Sequence, residues 1–138
     1  VTASEIIPGL WQGSRPPAGP EIGRVVDLLA LCAMEHQPDS RSYPGLAHIV
    51  RARLDDAEPT QRELAEATDA ARLVATSLAS GMVCLVTCQA GLNRSGLVSG
   101  LALRYLGFSG REAVRLVRRA RGENALSNPW FRKIVEYR

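Results

Sequence analysis

Residues 88–96 read Cys-Gln-Ala-Gly-Leu-Asn-Arg-Ser-Gly. An apolar run, Met82-Val83-Cys84-Leu85-Val86-Thr87, leads into them, and a helical pattern follows. Unbroken apolar character over a stretch of that length reads as a strand buried on both faces of a sheet. The segment is therefore a central strand, a tight loop and a helix start. Cys88 ends the strand; Arg94 and Ser95 open the helix.

Working outward, the first helix runs from about Ser95 to Leu106 and stops at Gly107. Ser109-Gly110-Arg111-Glu112 has the spacing of a capping box, opening a helix that ends near Gly122. Pro129 suits the first turn of a last helix, with Asn128 as its cap. Upstream of the central strand, Thr60-Gln61-Arg62-Glu63 is another capping box, and Leu64, Ala67, Ala71, Val74 and Leu78 give its helix an apolar stripe that Gly81 ends. Ala47 to Leu54 alternates, with Val50, Ala52 and Leu54 on one side and Arg51 and Arg53 on the other, which is strand periodicity. Arg24 to Cys32 reads as a buried strand, and Ile6 to Ser14 as two short strands around Pro8-Gly9. Arg15 to Gly23 and Glu35 to Gly45 are loop-like, the first with room for a short helix. The expected fold is α/β: a central four- to five-stranded sheet flanked by helices, forming one domain over residues 1–138.

The hydrophobic fraction of 46% suffices for a core, and the net charge of +3 is mild and suits an anionic substrate. Lys133 is the only lysine among 17 basic residues. No run approaches the ~20 apolar residues of a membrane span, and no secretory leader pattern opens the chain. Of the three cysteines, Cys84 and Cys88 cannot bridge along a strand, because four residues span roughly 13 Å. Reduced thiols, a cytoplasmic location and a monomer are the expectation. His36 and His48 stand alone in the sequence, so neither a metal nor another cofactor is expected.

The chemistry at Cys88 follows from its setting. Backbone N–H groups of Gln89, Ala90, Gly91, Leu92, Asn93 and Arg94, between a strand end and a helix start, can converge into an anion-binding nest. Gly91 and Asn93 tolerate a left-handed backbone. Arg94 supplies a planar fork for two phosphoryl oxygens, which a lysine would match poorly. A free thiol is only a few per cent ionised at neutral pH, and a helix N-terminus with a guanidinium favours the thiolate. Ser95 can hydrogen-bond the sulfur. A two-step phosphoryl transfer through a phosphocysteine follows, with no metal required.

Cys88-Gln-Ala-Gly91-Leu-Asn-Arg94-Ser95 resembles the Cys-x5-Arg-Ser/Thr signature of the cysteine-dependent protein tyrosine phosphatases. Ile7-Pro8-Gly9-Leu10-Trp11-Gln12-Gly13-Ser14 is similar to the opening of the dual-specificity, VH1-like branch, and Val117-Arg118-Arg119-Ala120-Arg121 followed by Asn128 and Phe131 matches its C-terminal part. The resemblance implies that fold over nearly the whole chain and hydrolysis of phosphotyrosine, with phosphoserine and phosphothreonine if the pocket is shallow. It implies a phosphorylated protein or peptide as partner. It also implies an aspartate general acid about thirty residues before the cysteine. Asp56 is the choice, Asp55 remains open beside it, and Glu58 is a distant third.

One departure is plain: Thr87 stands where the family usually has a histidine that orders the loop and keeps the thiolate ionised. A differently tuned catalyst is the expectation. Gly91-Leu92-Asn93-Arg94 also resembles the loop of cysteine-dependent RNA 5′-triphosphatases, so an RNA 5′ end stays as a rival substrate, although nucleic acid is not the expected partner. A phosphoinositide hydrolase, a non-catalytic phosphate-binding module and a thiol redox enzyme are further rivals. The last would need a resolving cysteine, for which Cys84 is the nearby candidate. Arg115, Arg118, Arg119 and Arg121 read as a solvated helix face or a basic rim, and Trp11 and Trp130 as packing residues.

Overall fold

The computed structural model describes residues 3–138. The apolar run becomes strand β5, Cys84–Cys88, every residue of which is buried. Around it stand β1 (Ala3–Ile7), β2 (Leu10–Ser14), β3 (Leu28–Ala33) and β4 (His48–Leu54). Their order across the sheet is β1-β2-β5-β3-β4, so the strand that ends in Cys88 is the central one. Only the β1–β2 pair is antiparallel; β2–β5, β5–β3 and β3–β4 are parallel. A five-stranded sheet with four helices is the expected architecture.

The helices are α1 (Gln61–Ala79), α2 (Arg94–Tyr105), α3 (Gly110–Arg121) and α4 (Pro129–Tyr137). Three start where side-chain caps satisfy the free N–H groups of the first turn. At α1 the box is complete: Thr60 Oγ1 accepts from Glu63 N–H at 3.1 Å and Glu63 Oε1 from Thr60 N–H at 3.0 Å. At α3 only half forms, because Ser109 Oγ accepts from Glu112 N–H at 3.2 Å while Glu112 turns toward the Ser109 hydroxyl instead of its backbone. Asn128 caps α4, its Oδ1 accepting from Trp130 and Phe131 N–H.

The third strand is shorter than the periodicity suggests. Asp27 and Leu28 N–H both donate to the Val83 carbonyl, and the Asp27 carboxylate accepts from Val83 N–H at 2.8 Å. Parallel pairing therefore begins only at Leu28 opposite Cys84. Ile22–Arg24 form a single 3-10 turn, and Val25 stays 67% exposed.

The period-2 alternation of β3 sorts its side chains. Leu28, Ala30 and Cys32 join Val86, Leu97, Val98 and Phe131 in the core under the helices. Leu29 and Leu31 join Leu85, Val26 and Tyr43 on the other face, beneath Trp11, Ile22 and Leu46. Full burial of one large apolar side chain contributes roughly 1.5–3 kcal/mol, and Phe131, fully buried, anchors α4 in that way. Gly100 lets α4 approach α2 closely: a Cβ there would stand 2.7 Å from Val135. Trp130 is 46% exposed and contributes less to packing than its size suggested. No helix among the described residues is long and apolar enough to cross a membrane.

Candidate active site

A parallel sheet carries its strand ends and the following loops on one edge, and Cys88 ends β5 there. The loop 89–93 connects it to α2, whose first residue is Arg94. Gly91 has φ 73°, as a tight loop of this kind requires; a Cβ there would lie 2.5 Å from the Gly13 carbonyl carbon. Asn93, in contrast, has φ −99° and right-handed backbone, so the left-handed expectation fails at that position.

The carbonyls of this loop are taken from outside. Gly91 O accepts from Gln12 Nε2 at 3.1 Å and from Arg121 Nε at 3.0 Å. Ala90 O accepts from Arg121 Nη2 at 3.3 Å, and Leu92 O from Leu126 N–H at 3.2 Å. No peptide bond among the described residues is cis. In a planar trans peptide the C=O and the next N–H point opposite ways. The amides of Gly91, Leu92 and Asn93 are thereby turned away from these partners, an arrangement suited to an anion.

Cys88 is 4% exposed, and its Sγ lies 3.2 Å from Ser95 Oγ, which is fully buried in the first turn of α2. With the sulfur ionised, the hydroxyl is the donor. Arg94 is nearly buried, and its Nη1 donates to Glu35 and, at 3.1 Å, to the Leu54 carbonyl. Burial opposes its charge, but the Glu35 hydrogen bond and the charges of Cys88, Glu35 and Asp56 outweigh this and raise its pKa. In return the Arg94 hydrogen bond holds the Glu35 carboxyl below its ordinary range.

Asp56 reaches the same loop. Its Oδ2 accepts from Asn93 Nδ2 at 3.2 Å and its Oδ1 from Asn128 Nδ2 at 2.8 Å. Asn93 Oδ1 in turn accepts from Asn128 N–H at 3.0 Å. Asp55 is tied elsewhere, its N–H donating at 2.8 Å to Glu63 of the α1 cap. Of the two aspartates, only Asp56 bonds to a residue of the loop.

Thr87 does not stand in for a loop-ordering histidine. Its Oγ1 donates to the Ala30 carbonyl at 2.8 Å, tying β5 to β3. Beside it lies a cavity of about 240 Å³ lined by Ser14, Arg15, Cys32, His36, Thr87 and Cys88, among others. His36 is not isolated: its Nδ1 accepts from Arg15 Nη1 at 3.0 Å. Cys32, which shares this cavity, is the cysteine beside Cys88; burial, then the Cys88 charge, pushes its thiol up. Cys84 is four residues lower in the strand, and burial raises its thiol to about 11. Among the described residues no cluster of three or more histidine, cysteine, aspartate or glutamate side chains could hold a metal.

The sequence reading gives no site role to Glu35 or Gln12, no contact of Arg121 with the loop and no second role for Asn128. Arg118 and Arg121 do not form a solvated face either, because Arg118 donates to the Ala125 and Leu126 carbonyls.

No protein-family model matches the sequence, and no curated protein does. Solved structures do. Human DUSP28 is 26% identical over 97% of this chain and 92% of its own, with a TM-score of 0.78. The active form of Tk-PTP is 23% identical over 96% and 92%, with a TM-score of 0.79. PTPMT1, solved in complex with PI(5)P, is 17% identical over 96% of both chains, with a TM-score of 0.72. The structural neighbours are phosphatases of the dual-specificity and protein tyrosine phosphatase type, and the chain has their fold.

Proposed function

We propose that this chain, built on the dual-specificity phosphatase fold, hydrolyses phosphotyrosine in proteins or peptides through a phosphocysteine at Cys88, with phosphoserine and phosphothreonine as secondary substrates. The supporting observation is convergence: Cys88, Ser95, Arg94 and Asp56 all bear on one loop whose carbonyls point outward.

The Cys88 thiolate attacks phosphorus, forming the S–P bond as the ester P–O bond breaks. The leaving oxygen takes a proton from Asp56 in its acid form, which requires the carboxyl to let go of one asparagine. Water then attacks phosphorus and gives its proton to Asp56; the S–P bond breaks, returning the thiolate and inorganic phosphate. Ser95 steadies the departing sulfur. Arg94 spends Nη1 on Glu35 and Leu54, leaving Nε and Nη2 for two equatorial oxygens. Thiolate, guanidinium and carboxyl supply nucleophile, charge and proton, so the reaction is written without a metal. Because Cys88 is only 4% exposed, a phosphate carried on a long aryl arm reaches it best.

The test is Cys88→Ser assayed with para-nitrophenyl phosphate and a phosphotyrosine peptide in the presence of a chelator. Turnover disappears while inorganic tungstate still binds; near-wild-type turnover in this variant refutes the reading. In a panel with a phosphoserine peptide, phosphoinositide vesicles and RNA 5′-triphosphate, the phosphotyrosine peptide has the highest kcat/KM. A higher value for lipid or RNA replaces the substrate class and leaves the cysteine chemistry standing.

A further inference from the structure

We propose that Gln12, together with Arg121, is a positioning residue that sets the phosphate-binding loop for its oxyanion by holding the Gly91 carbonyl outward. The inference rests on the phosphatase reading of Cys88 and deepens it. Gln12 sits on β2, a strand that carries none of the reacting groups, and is fully buried. Among the described residues its Nε2 makes one hydrogen bond, to Gly91 O, and its Oε1 has no partner. A carbonyl acceptor fixes which end of the amide faces it. A buried amide with one end unsatisfied destabilises a fold, and an apolar side chain of the same volume would pack there at less cost. The only bond gained for that cost goes to the loop.

Arg121 arrives from the other side, at the end of α3. Its Nε shares the same Gly91 carbonyl, its Nη2 meets Ala90 O and its Nη1 donates to Ser4 Oγ in β1. Two donors from distant elements thus meet one oxygen. Because the peptide is trans, the Leu92 N–H must point the opposite way, and the bond to Ala90 O orients the Gly91 N–H in the same manner. These are amides the oxyanion needs. With the clamp removed, the Gly91 peptide is free to rotate and present an oxygen to the phosphate.

The test uses Gln12→Leu, Arg121→Met and the double variant, with the exposed Arg115→Ala on α3 as the control. Tungstate affinity, phosphate inhibition, kcat, KM and Tm are measured on each. Gln12→Leu keeps or raises Tm, yet binds tungstate on the order of fivefold more weakly. The loss falls on KM and on phosphate inhibition, with kcat within about twofold, because the loop holds the oxyanion in ground and transition states alike. The double variant loses more than the product of the two single losses, since either donor alone still holds the carbonyl. Arg121→Met, at a half-buried position at the end of α3, carries the test if the core substitution fails to fold. Tungstate affinity within twofold of wild type in Gln12→Leu and in the double variant overturns the proposal, while an inactive Cys88→Ser leaves the phosphatase reading intact. An active Cys88→Ser sinks that reading instead, and the tungstate affinities still report on the clamp.

Discussion

Asn128 does two jobs with two ends of one amide, and substitution can separate them. Its Oδ1 caps α4 and its Nδ2 holds Asp56 at 2.8 Å. Asn128→Ala removes both. The lost cap costs about 1 kcal/mol, or roughly 3–5 °C in Tm for a chain of this size. Asn128→Ser keeps the cap, because serine and asparagine rank alike at that position, but its hydroxyl is too short to reach Asp56. A hydrogen bond to a charged group contributes about 1.5–3 kcal/mol. Asp56 is exposed and keeps its second anchor on Asn93, so about 1 kcal/mol is the appropriate figure after solvent screening. That corresponds to roughly fivefold in rate. The serine variant therefore loses less Tm than Asn128→Ala, which gives up the cap as well, and loses about fivefold in kcat/KM on a phosphotyrosine peptide, whose leaving group needs a proton. On para-nitrophenyl phosphate, whose leaving group departs as a stable anion, the loss is smaller. Equal losses on both substrates, or a Tm that falls as far as in Asn128→Ala, would refute the assignment of Asp56 as an acid held by Asn128.

Glu35→Gln frees Arg94 from its ion pair and lowers kcat/KM roughly tenfold, checked by steady-state kinetics. The Arg94 hydrogen bond depresses the Glu35 pKa, so the stability it contributes is full above the ordinary carboxylate range and fades as pH falls through the lower folded value. Melting curves against pH should show the wild-type advantage over Glu35→Gln at neutral pH and its closure in acid. Thr87→Val leaves the Ala30 carbonyl without its donor and costs about 1–2 kcal/mol, a Tm loss of roughly 3–8 °C, while kcat/KM stays within about twofold, as a role in sheet pairing demands. Gly91→Ala places a Cβ 2.5 Å from the Gly13 backbone at φ 73°; tungstate binding and turnover disappear, and the far-ultraviolet circular dichroism is unchanged.

The central strand, the loop and the helix caps were legible because each is a local pattern: an apolar run, a glycine between strand and helix, a hydroxyl three residues before a glutamate. The pairing of Cys88 with Ser95 was legible for the same reason, since seven residues of loop and helix bring them together. Glu35 was not, because it lies 59 residues from Arg94 in a segment whose polarity says only that it is a loop. Gln12 falls in a strand pattern where any side chain of its volume would read alike. Arg121 hid among its neighbours: Arg118 and Arg121 turn inward to carbonyls while Arg115 and Arg119 remain exposed, and charge alone does not separate the two pairs. The early end of β3 depended on Asp27 bonding to Val83, 56 residues away.

The sheet order β1-β2-β5-β3-β4 has a consequence for synthesis. A ribosome delivers Cys88 after β2 and β3 but before Arg121 and Asn128, so the nascent thiol waits beside an unfinished cradle. Neither half of the polypeptide can assemble this site alone, since the first lacks Cys88 and Arg94 and the second lacks Gln12, Glu35 and Asp56.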